Sequence, residues 1–201
     1  GLLPTSASAA SSAEIQKEID ALEEKNAVIQ AEINGIRKQY NASYNEMADM
    51  VAQKDAIDQE MTLLNEKIEF TNQQITAYSQ LIADTQEELE VAQEDLDALS
   101  RAHRERVRAM EEEGGLSYWE VIFKANSFTD LLDRLNMIEE INASDRRRIE
   151  QMRIAADIVN ATQMNLSQEK ASLEEIREQL AEDEKALEQR RSESDKLLIE
   201  L

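Results

Sequence analysis

Residues 57–99 read IDQEMTLLNEKIEFTNQQITAYSQLIADTQEELEVAQEDLDAL, with Ile57, Met61, Leu64, Ile68, Thr71, Ile75, Tyr78, Ile82, Thr85, Leu89, Ala92, Leu96 and Leu99 recurring at alternating steps of four and three. Followed outward, the same stepping reaches back through Lys54, Met50, Met47, Ser43, Tyr40, Ile36, Ile33, Ile29, Asn26, Leu22 and Ile19 to Ile15. Forward, it reaches His103, Arg106 and Met110. Of these 28 positions 21 are apolar, so the pattern is sustained rather than local. A 3.5-residue period held this long predicts a coiled coil, because the stripe would otherwise rotate away from its partner. Gly35 lies off the seam, and no Pro interrupts it. The spacing therefore predicts one helix over 13–113, roughly 150 Å long at about 1.5 Å per residue.

Composition agrees with a thin apolar seam on solvated helices. Aromatic residues are 4% and charged residues 32% of the 201 residues. That balance suits long helices better than a globule with a substrate cavity. The net charge of -21 argues against a nucleic-acid partner, since phosphate contact needs clustered Lys and Arg. The acidity reads first as a solvated helix surface. With no Cys, neither disulfides nor thiolate metal sites are available.

Residues 1–12 read as a disordered leader. Ala7-Ser8-Ala9 follows the apolar Leu2-Leu3, an A-x-A pattern that suggests the end of a signal peptide and hence export. Gly114-Gly115 ends the first helix, because paired glycines supply a left-handed cap and a chain reversal. Residues 114–127 form a tip holding a short amphipathic helix, Leu116 to Ala125, with the only Trp of the chain. Ser127 is placed to cap the next helix, with Asp130 at its third position.

A second helix is predicted over 128–201. Its seam is read as Leu131, Leu135, Ile138, Asn142, Asp145, Ile149, Met152, Ala156, Val159, Gln163, Leu166 and Lys170, continuing at the same steps to Leu201. Ile141, Ile154, Ile158 and Ile176 broaden it. Two helices around a short tip fold back as an antiparallel hairpin. With residue 112 opposite 128, Arg101, Arg104, Arg106 and Arg108 fall near Asp133, Glu139 and Glu140, and Arg146, Arg147 and Arg148 near Glu90, Glu94 and Asp95. The fold class is thus all-α: a long antiparallel two-helix coiled-coil hairpin with a short helix at its tip. The seam is still running at Leu201, which points to a further domain beyond it.

No catalytic constellation is found. His103 is the one His, on a seam position among arginines, where it reads as a tolerated polar step. One His and no Cys cannot build a zinc site of neutral ligands. No Gly-rich phosphate loop or calcium-loop pattern occurs. The chain alone reads as non-enzymatic, with no catalytic residue, metal or cofactor. Asn26 and Lys54 on the seam read as register-setting residues. The tip carries more apolar groups than a turn requires. Tyr118, Trp119, Ile122, Phe123, Phe128, Leu131 and Leu132 are candidate protein-binding residues, because aromatic anchors concentrate at binding hot spots. The alternative is that they pack on one another to close the hairpin.

Residues 115–135, GLSYWEVIFKANSFTDLLDRL, resemble the tip stretch in the coiled-coil region of EnvC-like and PcsB-like murein hydrolase regulators, with Asp145-Arg146 downstream also in pattern. The resemblance is specific over roughly 115–148 and generic over the long helices. It implies a secreted module, extracellular or periplasmic and associated with the cell wall, acting in cell-wall remodelling and cell division. It also implies engagement of the extracellular loop of an FtsX-like membrane protein in an FtsEX-type complex, and control of a peptidoglycan hydrolase domain, its own or a separate one. That domain is often a lysostaphin-type zinc metallopeptidase; its zinc-binding histidines have no counterpart here. Self-association of hairpins is a further expectation. The competing reading is a passive spacer or oligomerising rod, which needs only the heptads.

Overall fold

A computed structural model describes the backbone of residues 5–44, 50–112 and 118–200, and the side chains of 11–41, 50–112 and 120–200. The elements are α1 (Thr5–Tyr44), α2 (Met50–Glu112), α3 (Tyr118–Phe123) and α4 (Phe128–Glu200), with no strand among the described residues. Long helices α2 and α4 pack against each other as an antiparallel coiled-coil hairpin.

Two boundaries differ from the sequence reading. The helix expected over 13–113 is two helices, and α1 folds back antiparallel on α2. Asn26 Nδ2 donates to Thr71 Oγ1 at 3.1 Å, Lys67 Nζ to Gln30 Oε1 at 2.6 Å, and Arg37 Nε to Glu60 Oε1 at 2.6 Å. Each seven-residue advance on α2 is thus met by a seven-residue retreat on α1. The last described turn of α1 is Asn41-Ala42-Ser43-Tyr44, whose Asn and Ser are weak helix formers. Folding back also buries Ile29 and Ile33 against Leu64. The leader, expected to be disordered over 1–12, is helical from Thr5, in a stretch rich in Ala. Residues 1–4, the paired glycines at 114–115, Met47 and Leu201 lie outside the described residues.

The chain divides into two units, residues 1–84 with 166–201, and residues 85–165. The first is a three-helix bundle of α1, the start of α2 and the end of α4. Here α2 has two partners. Its buried positions run through Ile57, Glu60, Leu64, Lys67, Thr71, Gln74, Ala77 and Leu81 in steps of three and four, with Ile82 buried beside them. In the expected column Met61, Ile68 and Ile75 are half-buried, and Ile82 is buried as expected. The column one residue earlier is also buried, polar at Glu60, Lys67 and Gln74 and apolar at Leu81. Its charges are matched from both sides. Glu60 meets Arg37 of α1 at 2.6 Å and Arg190 of α4 at 3.0 Å. Lys67 meets Gln30 of α1 and Asp183 of α4, the latter at 3.1 Å, and Gln179 also donates to Asp183. Buried charges persist only when paired and hydrogen-bonded. Lys54, expected on the seam as a register setter, instead pairs along its own helix with Asp58, which accepts from Ser194 of α4 at 2.8 Å.

The second unit is a two-helix hairpin of the end of α2 and the start of α4, with α3 at its tip. Here α2 follows the expected seam: Ala92 is buried, and Leu89, Leu96, Leu99, His103, Arg106 and Met110 are half-buried. His103 Nδ1 is buried with no hydrogen-bond partner among the described residues. The α4 seam is corrected in one of its two columns. Leu131, Ile138, Asn142, Asp145, Met152 and Val159 are half-buried as expected, but Leu135, Ile149, Ala156 and Gln163 are exposed. Their place is taken by Arg134, Ile141, Arg148, Ala155 and Thr162, each one residue earlier and half-buried. The register also differs. Arg106 Nε lies 2.7 Å from Asp145 Oδ1, not beside Asp133 or Glu139. Arg147 pairs along its own helix with Glu140 at 3.0 Å, not with an acid of α2. At the tip, Arg134 of α4 reaches the Val121 carbonyl of α3.

Candidate interaction site at the hairpin tip

The start of α4 is fixed by its own sequence. Ser127 Oγ accepts the Asp130 backbone N–H at 3.0 Å, as its capping position predicts. Asp130 Oδ2 reaches back to accept the Asn126 N–H at 2.9 Å. This is a reciprocal cap of the capping-box kind, satisfying donors that the first helical turn leaves open. The Asn126 backbone hydrogen bond, followed by the Arg134 guanidinium, holds the Asp130 carboxyl below the usual carboxylate range. Arg134 then ties the tip together. Its Nε donates to Asp130 Oδ2 at 3.0 Å, and its Nη1 donates to the Val121 carbonyl at 3.1 Å. That carbonyl lies in the last turn of α3, where helical carbonyls have no intrahelical partner. Val121 beneath it is 7% exposed.

The candidate residues divide. Ile122 and Leu131 are half-buried. Phe123 is 80% exposed and Phe128 74%, with Leu132 exposed alongside. Both rings flank the turn 124–127, which sets them at the end of the hairpin. The side chains of Tyr118 and Trp119 lie outside the described residues, although both residues begin α3. Sequence reasoning missed Arg134, because the inward column of α4 was placed one residue late. It also missed Glu60, Lys67 and Asp183, because polar residues were read as outward. The available signal was the seven-residue spacing of Glu60 and Lys67 on α2, matched by that of Asp183 and Arg190 on α4.

Among the described residues, no group of three or more His, Cys, Asp or Glu could hold a metal ion, and no helix is long and apolar enough to cross a membrane. The architecture is that of a coiled coil and offers contact surfaces.

The fold and the tip together define an antiparallel coiled-coil hairpin with a capped helical tip. Within it, residues 82–162 match the family described as peptidoglycan hydrolase PcsB, coiled-coil domain. The matched segment takes in the tip and most of the second unit, and agrees with the resemblance read from residues 115–148. No curated protein and no solved structure matches the chain at a significant level.

Proposed function

We infer that this chain is a non-catalytic regulatory module of a peptidoglycan hydrolase system, exported to the cell wall. There it engages the extracellular loop of an FtsX-like membrane protein through its tip, in cell-wall remodelling and division. The controlled hydrolase domain is its own or a separate one. The match over 82–162 supports the cell-wall context. The observation that carries the reading is the pair of rings at the turn, Phe123 and Phe128, set outward on a tip whose backbone Arg134, Ser127 and Asp130 hold in place. Exposed aromatics on a rigid support lose little entropy on binding and make effective anchors.

The test is calorimetric titration of the full chain with the extracellular loop of the FtsX-like protein from the same organism. Phe123→Ala with Phe128→Ala should weaken binding by about 2 kcal/mol or more, the hot-spot range. Absence of binding at high micromolar loop concentration would remove the partner. Equal binding by the double variant would remove the tip from the interface and leave the spacer reading.

A further inference from the structure

The two units differ in what lies over the same columns of α2 and α4. In the first unit α1 lies over α2. Leu63 and Phe70 pack against the cluster of Ile29, Ile33 and Leu64, together with Ala186 of α4. The Lys25 ammonium sits 5.3 Å from the centre of the Phe70 ring. Ile19 packs on Ala77 and Leu81. Seven-residue steps along α2 from Leu63, Phe70 and Ala77 arrive at Val91 and Ala98 in the second unit. Similar steps from Lys67 and Leu81 arrive at Asp95, Ala102 and Ala109. On α4, steps back from Ala186 arrive at Ile158 and Met137.

In the second unit these columns are uncovered among the described residues. Val91 is 48% exposed, Ile158 52%, Ile154 47% and Met137 48%, whereas Ala77 and Leu81 beneath α1 are 8% and 5% exposed. The Arg106–Asp145 pair fixes the local register, and carrying it along both helices sets Val91 beside Ile158. The two therefore line one side of the hairpin. Ala98 and Ala102 lie between the larger residues and keep that side low. A helix can approach such a surface to the 8–10 Å of ordinary helix packing.

We propose that this side of the second unit, lined by Val91, Ala98 and Ala102 of α2 and by Met137, Ile154 and Ile158 of α4, receives a third helix supplied by a partner protein. The occupant is an amphipathic helix with an apolar stripe of 3.5-residue period. Its flank toward α2 carries Lys or Arg. Two observations select it. The first is continuity: in the first unit α1 covers the corresponding column of α2 at Phe70, Ala77 and Leu81 and packs with Ala186 of α4. The second is charge. Asp95, Glu105 and Glu112 border the α2 side, all exposed and with no Lys or Arg at ion-pair distance among the described residues. A basic flank meets them as Lys25 and Arg37 of α1 meet α2. The proposal goes beyond the tip reading and does not depend on it.

The probe is a synthetic peptide of residues 15–40 carrying Glu18→Lys, Asn26→Ile and Glu32→Lys, side-chain bridged on its outer face to hold it helical. Positions 18 and 32 lie one heptad either side of Lys25, so the new lysines face α2. Fluorescence anisotropy with the full chain should show saturable binding below about 100 µM. Val91→Glu and Ile158→Glu, both at exposed positions and checked for unchanged helicity, should each weaken it at least about tenfold, the cost of setting an unpaired charge in an apolar contact. Phe123→Ala with Phe128→Ala should leave it unchanged. No saturable binding overturns the proposal. So does binding that survives Val91→Glu and Ile158→Glu, which would mean displacement of α1 in the first unit. Binding lost only in the tip variant overturns it as well, while leaving the tip reading intact.

Discussion

Replacing Lys67 by Met tests whether the buried polar column holds the three-helix unit together. The Lys67 and Asp183 side chains are each 7% exposed. Lys67 Nζ lies 2.6 Å from Gln30 Oε1 and 3.1 Å from Asp183 Oδ1. Met keeps most of the apolar stem and removes the ammonium. Asp183 would then be a buried carboxylate without a cation. Removing one partner of a buried pair costs about 3–5 kcal/mol. Gln179 still donates to Asp183, which places the expected loss at the low end, about 3 kcal/mol. For a chain of this size that is a fall in Tm of about 6–12 °C. Adding Asp183→Leu removes the stranded charge, and an apolar pair of similar volume is often neutral or stabilising. The double variant should therefore return to within about 1 kcal/mol of the parent. Urea unfolding followed by circular dichroism at 222 nm gives both values. A loss under about 1 kcal/mol for the single variant, or a double variant as unstable as the single, would refute the reasoning.

At the tip, Arg134→Ala removes the donor to the Val121 carbonyl, so amides of 118–125 should exchange faster with solvent while those of 57–82 do not change; uniform exchange would show that Arg134 does not tie α3 to α4. Asp130 has a folded pKa depressed below its ordinary 3.8, chiefly by the Asn126 hydrogen bond, so its cap stabilises above that value and is lost as pH falls through the lower folded value. The Asn126 amide resonance should report a midpoint below 3.8, and a midpoint at or above it would contradict the cap. Gly35 sits mid-helix, and a Cβ placed there would meet no neighbouring side chain within 4 Å, so Gly35→Ala should raise stability by about 0.5–1 kcal/mol; a drop in Tm would show that this face of α1 is in contact after all.

Periodicity carried the hairpin into view, because α2 and α4 in the second unit pack as a pair and α2 there shows one apolar seam. The same regularity hid the packing of α1 back on α2. A strict heptad looks alike whether it runs on into one long helix or turns and packs on itself. Only the Asn and Ser at 41–44, where α1 ends, gave a local signal. The α4 column was misplaced because Leu135 and Ile149 are apolar and outward, while Arg134, Arg148, Asp183 and Arg190 are charged and inward. Hydropathy ranks those pairs the wrong way. The charges are tolerable inside only because partners on other helices meet them, and partners are a property of the assembled bundle. At the tip, the Ser127–Asp130 cap was readable because its chemistry is local. The division between half-buried Ile122 and exposed Phe123 was not, since it depends on where α3 lies.

The shared carboxylate of Glu60 makes a further demand on this bundle. Its side chain is 4% exposed and accepts Arg37 from α1 at 2.6 Å and Arg190 from α4 at 3.0 Å. The two arginines reach one acid from opposite sides, so either alone can keep it paired. Removing Arg37, which is 38% exposed, should therefore cost little while Arg190 remains. Removing Arg190 alone should likewise be partly covered by Arg37. Removing both leaves a buried carboxylate with no cation, and the second loss should exceed the first. Arg37→Ala and Arg190→Ala should thus show a coupling of about 1–3 kcal/mol in a double-mutant cycle. Such coupling means that the docking of α1 on α2 responds to α4 through the acid the two arginines share. Additivity within about 0.5 kcal/mol would show that the two arginines act independently, and that the apolar contacts of Ile29 and Ile33 alone set where α1 lies.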